Sequence, residues 1–275
     1  MSAPRPLLFD VHAVKAARRR ATRIGSERFL EAAALEGLAD RLSPVARRFT
    51  HGLWIGEALP GAIRPFANHW SLAEFRSEEI LDAGEAQFDL ALSLYTLQSL
   101  NDLPGALIQI RRALKPDGLF LAALFGGATL QELRECFAIA ESEIKGGISP
   151  RIAPFGDVRD MGSLLQRAGF ALPVSDVERL SARYADLGAL VRDLRAHGQT
   201  NALAARPKHF LSRRVFEALQ ACYAARHRRD NKLTATFETV FLTGWSPHES
   251  QQKPLKPGSA KTRLSDALGT IERKL

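Results

Sequence analysis

The sequence predicts an α/β fold: a mostly parallel sheet with an antiparallel last strand, a shortened half near its start and a helical insertion before the final strand. Three observations carry this expectation. The run from Phe88 to Gly127 reads strand, loop, amphipathic helix, turn, strand. Its strand segments are continuous apolar runs, as in parallel sheets covered on both faces. The segment Thr234 to Trp245 is rich in Thr, aromatic and branched residues, with Ala235, Phe237, Thr239 and Phe241 alternating against Thr236 and Glu238, so it reads as the last strand with Thr236 and Glu238 outward.

The first 50 residues are expected to form N-terminal helices. Leu7, Leu8, Val11 and Val14 place apolar groups on one face of an amphipathic helix. A mitochondrial transit peptide competes with that reading, since the segment is Arg-rich and Asp10 is the only acid before Glu27. Phe29, Leu30, Ala33, Leu38 and Leu42 have helical spacing, and Ser43-Pro44 supplies a stop. Gly52 to Ile55 then reads as a buried strand. Only 32 residues separate Ile55 from Phe88, whereas a strand-helix-strand-helix-strand continuation needs roughly 45.

Asn101 or Asp102 can cap the helix after the Phe88 strand, with Pro104 in its first turn and Leu103, Leu107, Ile110 and Leu114 as its stripe. Lys115-Pro116-Asp117-Gly118 is a turn in which Gly118 supplies the positive φ. Thr129-Leu130-Gln131-Glu132 has the form of a capping box. A helix from Val158 to Ala168 ends at Gly169, a strand covers Phe170 to Leu180, and helices cover about 186–197 and 211–226. The main domain is therefore expected over 51–252, with its insertion at about 184–230, and a tail over 253–275 in which Leu264, Ala267, Leu268 and Ile271 could form a short helix.

The 275 residues carry a formal charge of +8. No aromatic-interleaved basic strip accompanies the charge, so it reads as a solvated surface and nucleic acid is not the expected partner. No apolar stretch approaches the ~20 residues of a membrane span. Cys136 and Cys222 have no Cys or His neighbours at ligand spacing, which suggests neither zinc nor a disulfide framework and fits a reducing compartment.

Ligands of an open parallel sheet bind outside the carboxyl ends of its strands. That places the pocket beside Gly56 to Gly61, Ser93 to Gln98 and Phe125 to Gly127. The loop after the first strand lacks the glycines that let backbone approach a nucleoside closely: Trp54 stands where an acid is expected, Ala58 and Pro60 replace glycines, and Asn68-His69 occupy the neighbourhood of a ribose-binding acid.

Several segments then identify a family. These are Phe9-Asp10 before a basic helix, Asn101-Asp102-Leu103-Pro104, Leu114-Lys115-Pro116-Asp117-Gly118, Gly126-Gly127, Ser149-Pro150-Arg151-Ile152-Ala153-Pro154-Phe155 and Gly244-Trp245-Ser246-Pro247-His248-Glu249-Ser250-Gln251. The chain resembles the bacterial and mitochondrial assembly factors for respiratory complex I that carry a methyltransferase fold. The resemblance implies a class I SAM-dependent methyltransferase (Rossmann-like) fold, S-adenosyl-L-methionine as cofactor, and a protein substrate or assembly partner such as a complex I subunit. It implies the cytoplasm for a bacterial protein and the mitochondrial matrix for a eukaryotic one. Departures cluster at the cofactor side: Ser77-Glu78-Glu79, Leu81-Asp82-Ala83, Gln98-Ser99 and Ala128 replace family residues.

Gly56, Glu57, Gly61, His69, Glu78 and Ser93 are the candidate cofactor contacts. Ser149, Arg151, Phe155, Trp245, Glu249 and Gln251 are the candidate substrate or partner contacts, and His248 is the candidate acid or base. A methyltransferase-family protein with a degenerate cofactor site is the expected function. A non-catalytic pseudo-methyltransferase that binds an assembly partner is the alternative.

Overall fold

A computed structural model describes residues 7–25 and 28–252. The expected tail helix over Leu264 to Ile271 lies outside the described residues.

The sheet runs in the order β2-β1-β3-β4-β7-β5, with the two-residue β6 paired to β7. Strands β1 (Phe49–Ile55), β2 (Ala67–Ala73), β3 (Phe88–Leu94) and β4 (Leu114–Phe125) are parallel. Strand β7 (Lys232–Trp245) runs antiparallel to β4 and to β5 (Ala171–Tyr184). Helices α2 (Phe29–Leu42), α4 (Gln131–Lys145), α6 (Leu187–Ala196) and α7 (Arg213–His227) cover one face, where Leu38, Leu90, Leu121 and Phe237 meet. Helices α3 (Leu103–Ala113) and α5 (Val158–Arg167) cover the other, around Leu53, Leu107, Phe120 and Leu242. Both faces of β3 are thus closed, which is why its sequence is apolar without alternation.

The shortening expected between β1 and β3 has a clear form. A 3-10 helix, Gly61–Phe66, stands in place of a crossover α-helix, with Pro65 inside it. After β2, residues 74–87 hold only an isolated bridge between Phe75 and Leu81.

Several local expectations are corrected. Helix α1 (Val11–Ile24) begins later than the apolar pattern suggests, because Asp10 caps it by accepting from Ala13 N–H at 3.1 Å; Leu7 and Leu8 lie ahead of it and are exposed. Helix α3 ends at Ala113, and Leu114 already belongs to β4. The turn that follows is a bulge: β3 advances from Phe88 to Leu90 while its β4 partners advance from Leu114 to Leu119. Its left-handed residue is Asp117, at φ 60°, rather than Gly118.

The capping box does not form. Thr129 and Glu132 are drawn to β7 instead: Thr129 Oγ1 donates to Glu238 O at 3.0 Å and accepts from Glu238 N–H at 3.0 Å, and Glu132 accepts from Thr236 N–H at 3.1 Å. Glu238 is buried rather than outward, ion-paired to Arg179 at 2.7 Å. Its carboxylate lies where a Cβ on Gly126 would come within 2.4 Å of it, so only glycine fits at that crossing. The two cysteines, distant in sequence, converge from α4 and α7 with their sulfurs 2.7 Å apart.

Candidate functional site

Two cavities open at the carboxyl ends of the parallel strands. The smaller, about 300 Å³, lies beyond β1, β2 and β3 and is lined by Glu57, Glu74, Glu79, Thr96, Ser99 and residues of α1. Glu74 follows the last residue of β2. That is the strand-tip position from which a carboxylate meets ribose hydroxyls in a nucleoside-binding fold. His69 is not there: it lies within β2, opposite His51, and is exposed. A strand's ligand-facing residue is the one at its tip, and β2 runs on past His69 to Ala73.

The other expected cofactor contacts divide. Gly56 directly follows β1, but its N–H donates to Ala73 O at 3.0 Å. Glu57 lines the smaller cavity. Gly61 opens the 3-10 helix with open space around it and lines neither of these two cavities. Glu78 is exposed and does not line this cavity; its neighbour Glu79 does, and accepts from Asn101 Nδ2 at 3.0 Å and Asp102 N–H at 2.6 Å. Ser93 is fully buried inside the sheet, its hydroxyl without a partner among the described residues. Trp54 is buried in the core, and its indole nitrogen would lie 2.9 Å from a Cβ on Gly56. Asp102 caps α3, whereas Asn101 ties the N-terminal segment down, accepting from Phe9 N–H at 2.8 Å.

Arg18 reaches into this region from α1, with long contacts of 3.4 Å to Thr96 O and Ser99 Oγ. Burial pushes its guanidinium below the ordinary arginine range, and the charges of Glu57 and Glu74 act against that push.

The larger cavity, about 410 Å³, adjoins the first: Val14, Arg18 and Ser99 line both. Tyr95 and Phe125, from the tips of β3 and β4, stack at 4.2 Å as part of its wall. Tyr95 hydrogen-bonds Thr239 Oγ1 at 2.7 Å, and burial pushes its phenol up to about 12, so it is neutral at physiological pH. Phe155 and Arg151, candidate substrate or partner contacts in the sequence, line this cavity. Ser149 instead supplies only its backbone, donating to Glu141 at 2.7 Å. Glu141, fully buried on α4, also takes Arg151 at 2.6 Å and Lys145 at 3.2 Å, and so fixes the loop as the cavity's side wall. Burial raises that carboxyl's pKa, and the bonds from Arg151, Ser149 and Lys145 more than offset this, leaving it below the usual range.

His248, Glu249, Gln251 and Trp245 are at the wrong end of the molecule for this chemistry. Because β7 is antiparallel, Thr239 sits opposite Phe125 at the strand tips while Trp245 sits opposite Leu119 at the far end. Gln251 donates from Nε2 to Asp117 Oδ1 at 2.9 Å and to Ser246 O at 2.8 Å, and His248 pairs with Ser250 at 2.7 Å. Glu249 is exposed. This segment latches the Lys-Pro-Asp-Gly bulge. Among the described residues no group of three His, Cys, Asp or Glu is placed to hold a metal, and no helix is long and apolar enough to cross a membrane.

Arg18, Glu74 and Glu141 belonged to no motif, though Glu74 was reachable as the acid directly after a strand; Glu79 stood in the Ser77-Glu78-Glu79 segment, where the candidate contact was Glu78.

Comparison with known proteins agrees with this architecture. The methyltransferase domain family matches residues 63–122. The human "Arginine-hydroxylase NDUFAF5, mitochondrial" is 42% identical over 195 residues, covering 70% of this chain and 56% of that protein. The Dictyostelium discoideum protein of the same name is 41% identical over 188 residues, 68% of this chain and 43% of that protein. A malonyl-[acyl-carrier protein] O-methyltransferase of Laribacter hongkongensis is 37% identical over 180 residues, 66% of this chain and 58% of that protein. The chain thus spans about half the length of the curated relatives it matches. The crystal structure of YcgJ from Bacillus subtilis superposes with a TM-score of 0.51 at 13% identity, over 79% of this chain and 99% of that one, a likeness of fold. The chain is thus similar to methyltransferase domains over residues 63–122 and to the NDUFAF5 proteins over about 70% of its own length, on a fold shared with methyltransferase-like structures.

Proposed function

We propose that this chain is a methyltransferase-fold assembly factor that works by binding a partner protein, and that its nucleoside cleft no longer holds S-adenosyl-L-methionine. The observation that carries the reading is the state of the cleft beside Gly56. The residues present do not fit the cofactor. Glu74 could meet ribose hydroxyls, but the Gly56 N–H is committed to Ala73 O, and a six-residue 3-10 helix replaces the helix whose N-terminus would face the ligand. Arg18 lines this cleft, so a sulfonium and an ammonium entering it would meet a like charge. A subunit of respiratory complex I is the partner this reading names, by resemblance. Its place of work is the bacterial cytoplasm, or the mitochondrial matrix in a eukaryote.

Thermal unfolding with adenosyl-methionine or adenosyl-homocysteine tests the loss. A ligand at 100 times its Kd adds about 2.7 kcal/mol of stability. The expected result is an unchanged Tm at millimolar ligand, and a rise of several degrees overturns it. The binding role is tested in cells lacking the protein: a Glu57→Ala, Glu74→Ala double variant is expected to restore assembly as well as the unaltered chain. Failure of a folded double variant would support a second reading, in which the chain modifies its partner.

A further inference from the structure

The larger cavity has an unusual balance of charge. Phe125, Leu133, Phe137 and Phe155 give it a largely apolar lining, joined by neutral polar groups such as Gln98, Gln199 and Asn201 and by Arg18, Arg151 and Arg195. Among the described residues no Asp or Glu lines it. Arg151 is spoken for, since Glu141 takes its guanidinium from behind the wall. Arg18 and Arg195 form no ion pair with any described residue; Arg18 feels Glu57 and Glu74, but from the neighbouring cleft, and Arg195 is exposed. Arg18 is half-buried with its nearest carboxylates in the neighbouring cleft, so an anion entering this cavity that can replace its lost water is favoured there. A guanidinium or ammonium group entering the same space would meet two like charges.

The apolar wall makes a second demand. A ligand that fills it gains about 25 cal/mol for each Å² of apolar surface removed from water, whereas a small hydrophilic anion gains nothing there. A monoanionic head also loses less hydration on entry than a dianionic phosphate. We propose that this cavity binds a carboxylate carried on an apolar chain, with Arg18 and Arg195 supplying the charge and Phe125, Leu133 and Phe137 receiving the chain. The site stands whether or not the cleft beside Gly56 holds a nucleoside.

Three ten-carbon probes, kept below their micelle concentrations, separate the two contributions on the full chain: decanoate, 1-decanol and decylammonium, followed by calorimetry and thermal shift. Decanoate is expected to bind and raise Tm, decanol to bind more weakly, and decylammonium to leave Tm unchanged. The Arg18→Gln, Arg195→Gln double variant, checked by circular dichroism, is expected to lose at least tenfold in decanoate affinity while keeping decanol binding. Decylammonium binding as tightly as decanoate would overturn the proposal. So would an unchanged decanoate affinity in the double variant, or the failure of all three probes to bind. Adenosyl-homocysteine plays no part in this test, so either reading can fail without the other.

Discussion

Replacing Glu141 by Ala is the sharpest test of how the larger cavity is built. The carboxylate is fully buried and holds Arg151, itself 14% exposed, together with the Ser149 N–H and Lys145. Removing one partner of a buried pair costs about 3–5 kcal/mol, because the remaining charge is left without compensation. The Lys145 contact adds little, being partly solvated. At about 2–4 °C per kcal/mol for a chain of this size, Tm should fall by on the order of 10 °C. Glu141→Gln should fall between the two, since one oxygen can still accept while Arg151 stays unneutralised.

The double variant Glu141→Leu, Arg151→Leu removes both charges and should recover most of the loss; measured by urea unfolding together with the two single Leu variants, it closes a mutant cycle. The sign with pH follows from the depressed carboxyl. Its contribution is present above the unfolded value of 4.5 and is lost as pH falls through the lower folded value, so the gap between the unaltered chain and Glu141→Gln should narrow below that point. An Ala variant within 1 kcal/mol of the unaltered chain, or a double variant as unstable as the single one, would refute the reasoning.

Three further outcomes are expected. His197 is buried with neither ring nitrogen hydrogen-bonded among the described residues and Phe29 edge-on at 5.1 Å. Burial and the charge of Arg28 hold it below its ordinary range against the pull of Asp193. Its neutral form therefore stabilises the fold above the unfolded value of 6.5, and that contribution is lost as pH falls through the folded value; His197→Phe should flatten this acid limb in thermal melts run between pH 7 and 5. The Cys136 and Cys222 thiols, 2.7 Å apart, should join when diamide is added, each losing a hydrogen to the diazene; non-reducing gels should show a faster band that Cys222→Ser lacks. Gln251→Ala should cost about 1 kcal/mol by loosening the Asp117 bulge, while His248→Ala should change stability by less than about 0.5 kcal/mol. Neither is expected to alter decanoate affinity.

Helix α3 with its Asp102 cap and the stop at Gly169, where φ is 84°, were readable because their signals are local. So was the missing crossover helix, since chain length between β1 and β3 sets what can fit. Glu238 and Glu132 were misread because local preference was overridden by distant partners: a strand-face glutamate is expected outward until Arg179 and the Ala128 N–H come to meet it. The His248 segment is the more instructive case. An antiparallel last strand already implies that its end lies opposite the ligand-facing tips, so the assignment could have been corrected from topology alone. Arg18 could not have been placed from the sequence, since its position depends on how α1 packs across the sheet's edge.

That position has a thermodynamic corollary. One guanidinium borders two chambers, with carboxylates in one and none in the other. Whatever draws it toward one side changes the electrostatic welcome on the other, and linkage requires the effect to be mutual: if an occupant of the first chamber alters affinity in the second by some factor, the reverse holds by the same factor. Coupling carried by Arg18 between the two spaces would need no movement of the sheet beneath them.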